Sequence, residues 1–239
     1  MRRHKIRKND RIKRLFLGVL LVCTGIMILS GCGTRTEEKQ TRQEETESSG
    51  KEEDKIQIGL AVDSFVIERW IRDRDVFVAT ARELGADVNV QDAGADAEEQ
   101  ISQIEYFISK QVDVIVVIAR DCGVLSDVIQ EAHNAGIPVI SYDRMINNAD
   151  TDLYISFDNR KVGEIMAQAL VEALPQGGDI FMIQGPLSDN NVYMLKDGFD
   201  DTIKDTNLNV VYEANCDGWT AELAAGYVEE ALEKYPHVK

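Results

Sequence analysis

From Ile56 onward, short apolar runs alternate with amphipathic stretches of helical length, and this alternation constrains the fold more than any other feature of the chain. Its sharpest member is Val112-Asp113-Val114-Ile115-Val116-Val117-Ile118, a nearly continuous β-branched run. Such a run suits a strand covered on both faces, because β-branched side chains pack well on a pleated surface. Further strands are expected over Ile56–Val62, Ala86–Val90, Ile137–Tyr142, Leu153–Phe157, Ile180–Ile183 and Leu208–Tyr212. Between them, Trp70, Phe77, Ala81 and Leu84 share one helical face, and Ile101, Ile104, Phe107 and Ile108 share another. A third helix over Val124–Ala135 ends at Gly136, which suits a C′ position. Helices also fall near Lys161–Ala173, Tyr193–Ile203 and Thr220–Lys234. Strands alternating with helices of this length predict βαβ units, a mainly parallel sheet and an α/β fold.

In open parallel sheets, ligands bind beyond the carboxyl ends of the strands. That rule selects Asp63–Trp70, Ala119–Cys122, Asp143–Arg144, Phe157–Asn159, Gln184–Asn191 and Cys216–Trp219. Within them Arg69, Asp143, Arg144, Asp189, Asn190, Asn191 and Trp219 combine forked hydrogen-bonding groups with one large aromatic. A neutral polyol presents hydroxyls that both donate and accept, and C–H faces that an aromatic ring covers. The set therefore suits a sugar. Taken singly, each residue also has an ordinary explanation: an Asp or Asn after a strand caps a helix, and a Trp fills a core. Trp70 lies inside an apolar stripe and is expected in the core.

Little points to catalysis. The chain contains no G-x-S-x-G, no G-x-G-x-x-G after its first strand and no P-loop. Its histidines are His4, His133 and His237, and neither of the two beyond the leader stands at a strand end. Cys122 and Cys216 are the only cysteines beyond Cys32, so they form one disulfide at most, and no Cys/His cluster implies a metal.

Residues 1–31 hold eight of the 26 basic residues and one of the 42 acids, leaving a remainder too acidic to favour nucleic acid. The basic run precedes fifteen uncharged residues, Leu15–Leu29, and then Leu29-Ser30-Gly31-Cys32. A basic stretch, a short apolar stretch and small residues describe a secretory leader. Fifteen residues is short for a hydrocarbon core of roughly 30 Å, which argues against a membrane-spanning anchor. Leu-Ser-Gly-Cys resembles the bacterial lipobox, which implies cleavage before Cys32 and lipidation of its thiol. Residues 33–54 contain no hydrophobic residue and are expected to form a solvated tether. The protein is thus expected on the outer face of the cell membrane, anchored by lipid.

Several motifs carry a second resemblance. Glu68-Arg69-Trp70 with Asp73-Arg74-Asp75, Ser102-Gln103-Ile104-Glu105, Tyr142–Asn147, Tyr154–Asn159, Asp189-Asn190-Asn191 and Asp217-Gly218-Trp219 resemble the xylose branch of the type I periplasmic binding proteins. The resemblance runs from Lys55 to Lys239. It implies two Rossmann-like lobes with parallel sheets, joined by hinge crossovers and closing on a monosaccharide, with no enzyme activity and no cofactor. It places sugar contacts on Arg69, Asp143, Arg144, Asp189, Asn191 and Trp219, with Trp219 and the aromatic neighbourhood of Trp70 flanking the ring. Ala119-Arg120-Asp121-Cys122 departs from the family's pattern at one wall of the cleft. Family members also continue well past Lys239, so the chain is expected to hold one lobe over 55–158 and an incomplete second lobe over 159–239. The implied partner is an ABC permease. The alternative is a membrane histidine kinase to which the protein reports sugar. A repressor of the same core fold would need a basic helix-turn-helix where the leader stands.

Overall fold

The computed structural model describes residues 55–238; the leader over 1–31, Cys32 and the tether over 32–54 lie outside the described residues. The elements alternate as the sequence predicts. β1 (Ile56–Val62), α1 (Glu68–Glu83), β2 (Ala86–Asp92), α2 (Ala97–Ser109), β3 (Val114–Ile118), α3 (Ser126–Asn134), β4 (Val139–Tyr142) and β5 (Leu153–Ile155) come first. Their strands form one parallel sheet in the order β2-β1-β3-β4-β5. The chain continues through α4 (Asn159–Ala173), β6 (Gly178–Gln184), α5 (Asn190–Ile203), β7 (Leu208–Asn215), a 3-10 turn over Asp217–Trp219 and α6 (Ala221–Lys234). β6 and β7 pair in parallel as a second sheet.

The first sheet is covered on both faces, as its β-branched strands require. Alternate residues along a strand point to opposite sides. Ala61, Ile115 and Val117 pack with Ile104 and Phe107 of α2 and with Val128 and Ile129 of α3. Leu60, Val62, Val116 and Ile118 face the other way, onto Trp70 of α1. Ile104 and Phe107 are wholly buried, as their helical spacing predicts, and Trp70 is 2% exposed, as its place in the stripe predicts.

Leu84 departs from the expectation that it extends the α1 stripe: it is 80% exposed. The last helical residue is Glu83, and the chain turns through Gly85 in the left-handed region to start β2, which carries Leu84 off the buried face. Gly136 takes the expected C′ position after α3, with φ +79, and its N–H closes on His133 O.

The second sheet's helices touch backbone to backbone. A Cβ on Gly163 of α4 would stand 2.0 Å from the Leu195 carbonyl oxygen, and one on Gly198 of α5 would stand 2.0 Å from that of Arg160. Only glycine at both places allows so close a crossing.

Candidate functional site

The strand order reverses between β1 and β3, whose followers β2 and β4 lie on opposite sides of the pair. Side chains beyond the carboxyl ends of those strands line a crevice in this architecture. Asp63 follows β1, Arg120 stands two residues past β3, and Asp143 and Arg144 follow β4. From the second sheet, Asp189 caps α5 after β6, and the Asp217–Trp219 turn follows β7.

The six residues predicted from sequence meet in one network. Arg69 Nη2 donates to Asp143 Oδ2 at 2.6 Å, and Asn191 Nδ2 donates to Asp143 Oδ1 at 3.1 Å. Arg144 Nε lies 2.9 Å from Asp189 Oδ2, an ion-pair distance at which the N–H is not aligned for a hydrogen bond. Trp219 Nε1 donates to the same Asp189 oxygen at 3.0 Å, and Asp189 Oδ1 accepts from the Asn191 backbone N–H at 2.9 Å. Asp189 is therefore both a helix cap and a member of the cluster, so capping α5 does not remove it from the network. Asp143 caps no described helix, and Trp219, 40% exposed, is not a core residue.

Asp143 and Trp219 share a further property. They are two of five described non-glycine residues in the left-handed backbone region, with φ +65 and +58. This conformation costs energy for a residue with a Cβ and persists only where surroundings enforce it. At Asp143 the surroundings are explicit: its N–H donates to Ile155 O, and its carbonyl accepts from Ser156 Oγ, Tyr154 OH and Asn191 Nδ2.

The electrostatics are those of opposite charges withdrawn from water. Asp63, Arg144 and Asp189 are each 1–2% exposed. Burial raises the Asp63 pKa above its ordinary value, and the charges and hydrogen bond of Arg144, with the charge of Arg120, offset this only in part. Burial also opposes the charge on Arg69, but the Asp143 hydrogen bond and charge outweigh it and its pKa is raised. The Arg69 guanidinium lies 4.4 Å from the centre of the Trp70 ring and 5.2 Å from that of Phe157. Trp70 is thus sealed beneath an arginine, whereas Phe157 is the exposed aromatic on that side.

Further members of the network were not among the six residues predicted from sequence. Asp63 Oδ2 accepts from Arg144 Nη1 at 2.7 Å. Arg120 Nη2 donates to Asp217 Oδ1 at 3.0 Å, joining the ends of β3 and β7. Asn159 Nδ2 donates to Asn191 Oδ1 at 3.0 Å. Each stands in a segment that the strand-end rule selects, which was the available signal. A cavity of about 500 Å³ lies beside this network, lined mainly by apolar side chains including Met166, Leu170, Phe181, Leu195 and Phe199, with Trp219 on its wall. The polar chemistry is in the network and not in that cavity. Cys122 and Cys216 are both buried free thiols, and burial pushes Cys122 up to about 11.

The parallel sheet with its charged crevice defines the class. Residues 58–239 match the periplasmic binding protein domain family, and the chain belongs to that family. It is 46% identical over 181 residues to the D-xylose-binding periplasmic protein of Escherichia coli, covering 74% of this chain and 54% of that protein. It is 44% identical over 189 residues to the protein of the same name from Haemophilus influenzae, covering 77% and 57% respectively. The chain thus spans about half the length of the curated relatives it matches. Among solved structures, an ABC transporter solute-binding protein from Clostridium phytofermentans with bound β-D-glucose superposes with a TM-score of 0.71 at 29% identity, over 75% of this chain and 60% of that one. The fold is that of the type I periplasmic binding proteins.

Proposed function

We propose that the protein is a lipid-anchored, extracytoplasmic receptor that binds D-xylose or a similar monosaccharide and delivers it to an ABC importer. The observation that carries this reading is the convergence of Arg69, Asp143, Arg144, Asp189, Asn191 and Trp219 on one network at strand carboxyl ends. Arginine forks and amides donate, carboxylates accept, and an aromatic ring lies alongside. A sugar hydroxyl does both, so it can be exchanged into such a network without leaving a buried group unmatched. Residues 55–158 form the first lobe in this reading, residues 159–239 belong to the second, and Cys32 carries the lipid. The D-xylose-binding relatives support the choice of sugar.

Calorimetric titration of the full chain in mild detergent with D-xylose, D-ribose, L-arabinose and D-glucose tests the assignment. Saturable heat with D-xylose, reduced in Asp143→Ala, supports it. Saturable heat with another of these sugars alone replaces the ligand, and absence of heat with all four rejects monosaccharide binding by this chain. Cross-linking in native membranes separates the two partners, by whether a permease or a histidine kinase is recovered.

A further inference from the structure

Arg144 is 2% exposed, and its guanidinium is held by groups from three places in the chain. Nη1 donates to Asp63 Oδ2 at 2.7 Å and to the Ala119 carbonyl oxygen at 2.8 Å. Those acceptors follow β1 and β3, the strands that flank the reversal in sheet order. Nε faces Asp189 Oδ2 at 2.9 Å. The Trp70 ring centre lies 5.5 Å from the Arg144 Cζ and covers one face of the group. Nη2 makes no hydrogen bond among the described residues and is not one of the fully buried unmatched atoms.

We infer that Asp63 is a positioning residue for the proposed sugar site, fixing the plane of the Arg144 guanidinium so that Nη2 is the edge offered to a ligand hydroxyl. The role presupposes the sugar-binding function proposed above. Asp189 cannot supply it alone, because its Oδ2 also accepts from Trp219 and its Oδ1 caps α5. Asp63 has no such division: Oδ2 serves Arg144, and Oδ1 has no hydrogen-bond partner and lies 3.9 Å from Arg120 Nε. A planar fork held at one nitrogen by two acceptors that follow separate strands keeps little rotational freedom, and its remaining donors point in fixed directions. A donor aimed in advance avoids the ordering cost at the moment of binding.

The charged groups facing Asp63 are Arg144 after β4, Arg120 after β3 and Asp189 before α5. Burial holds the Asp63 pKa above 3.8, so acidification neutralises this carboxylate before an ordinary aspartate. Below that point Arg144 loses the charge that orients it.

The test uses the full chain in mild detergent and two readouts. Hindered rotation of the Arg144 guanidinium, followed by nitrogen NMR and assigned by loss of its signals in Arg144→Lys, is slow in the wild type. It becomes fast in Asp63→Asn and remains slow in Asp63→Glu if the carboxylate is the orienting group. D-xylose affinity falls about tenfold or more in Asp63→Asn, the scale of one charge-assisted hydrogen bond. On acidification the wild type also begins to lose affinity at a higher pH than Asp63→Asn does, because Asp63 is the carboxylate whose pKa burial raises. Unchanged guanidinium rotation in Asp63→Asn overturns the inference, whatever the affinity does. Altered rotation in a protein that gives no heat with any sugar keeps Asp63 as the orienting residue and rejects the sugar assignment instead. If Asp63→Asn does not fold, the wild-type rotation rate measured against pH decides: acceleration on acidification supports the role, and a flat profile overturns it.

Discussion

Arg144 and Asp189 lie 2.9 Å apart with side chains only 3% and 2% exposed. The arginine follows the first sheet's fourth strand, and the carboxylate caps the helix that follows the first strand of the second sheet. Removing one member of a buried pair strands the other charge out of water.

Asp189→Ala is therefore expected to cost about 3–5 kcal/mol of stability, combining the stranded Arg144 with loss of the α5 cap. Asp189→Asn keeps a capping oxygen and is expected to cost less. Urea denaturation followed by circular dichroism measures both, and equal losses would show that the charge on Asp189 contributes nothing.

Asp143→Ala is expected to weaken sugar binding by about 1–3 kcal/mol, the scale of hydrogen bonds to a charged group. Its effect on melting temperature should be small, since Arg69 is 43% exposed, so water can replace its lost partner, and Asn191 Nδ2 keeps the residue's backbone carbonyl as acceptor. Trp219→Ala should cost at least as much affinity, through lost ring area. If either variant melts early yet binds normally once folded, its side chain belongs to the scaffold and not to the site.

Asp152 gives a pH dependence with a definite sign. The Val139 backbone N–H donates to its Oδ2 at 2.7 Å, and this bond, helped by His133, lowers its pKa below 3.8 although burial opposes the shift. A depressed folded-state pKa contributes stability that is fully present above pH 3.8 and is lost as pH falls through the folded value. The contribution is small because the side chain is half exposed. Urea midpoints between about pH 2 and pH 6 should drop less steeply for Asp152→Asn than for the wild type, from a slightly lower plateau.

Cys32→Ala is expected to abolish radiolabelled fatty-acid incorporation and to leave the protein unprocessed or released. The motivation is Leu-Ser-Gly-Cys after an uncharged stretch. Labelling that survives the substitution would place the lipid on another residue.

The alternation from β1 to α6 was legible because hydrophobic period is a local property, and the six residues predicted for the site were legible because strand ends and the motifs that carry the resemblance are local too. Relations between strands were not. Nothing near Asp63 in sequence announces that Arg144 will lie against it, since the contact depends on β1, β3 and β4 being neighbours at one edge of a crevice. Arg120 lay in a selected strand-end segment and departed from a motif, but its ion pair with Asp217 joins residues 97 positions apart. Leu84 misled for the opposite reason: periodicity extends a stripe past the point where a backbone turn ends it.

Gly163 and Gly198 let α4 and α5 cross with their backbones in contact. Helices so locked cannot slide or rotate past each other without collision, so the two behave as one lever. Asn159 opens α4, Asn191 lies in the first turn of α5, and the amides of the two are hydrogen-bonded at the site. A methyl group added at either glycine would therefore push α4 away from α5 and disturb the spacing of Asn159 and Asn191, which meet near the start of the two helices.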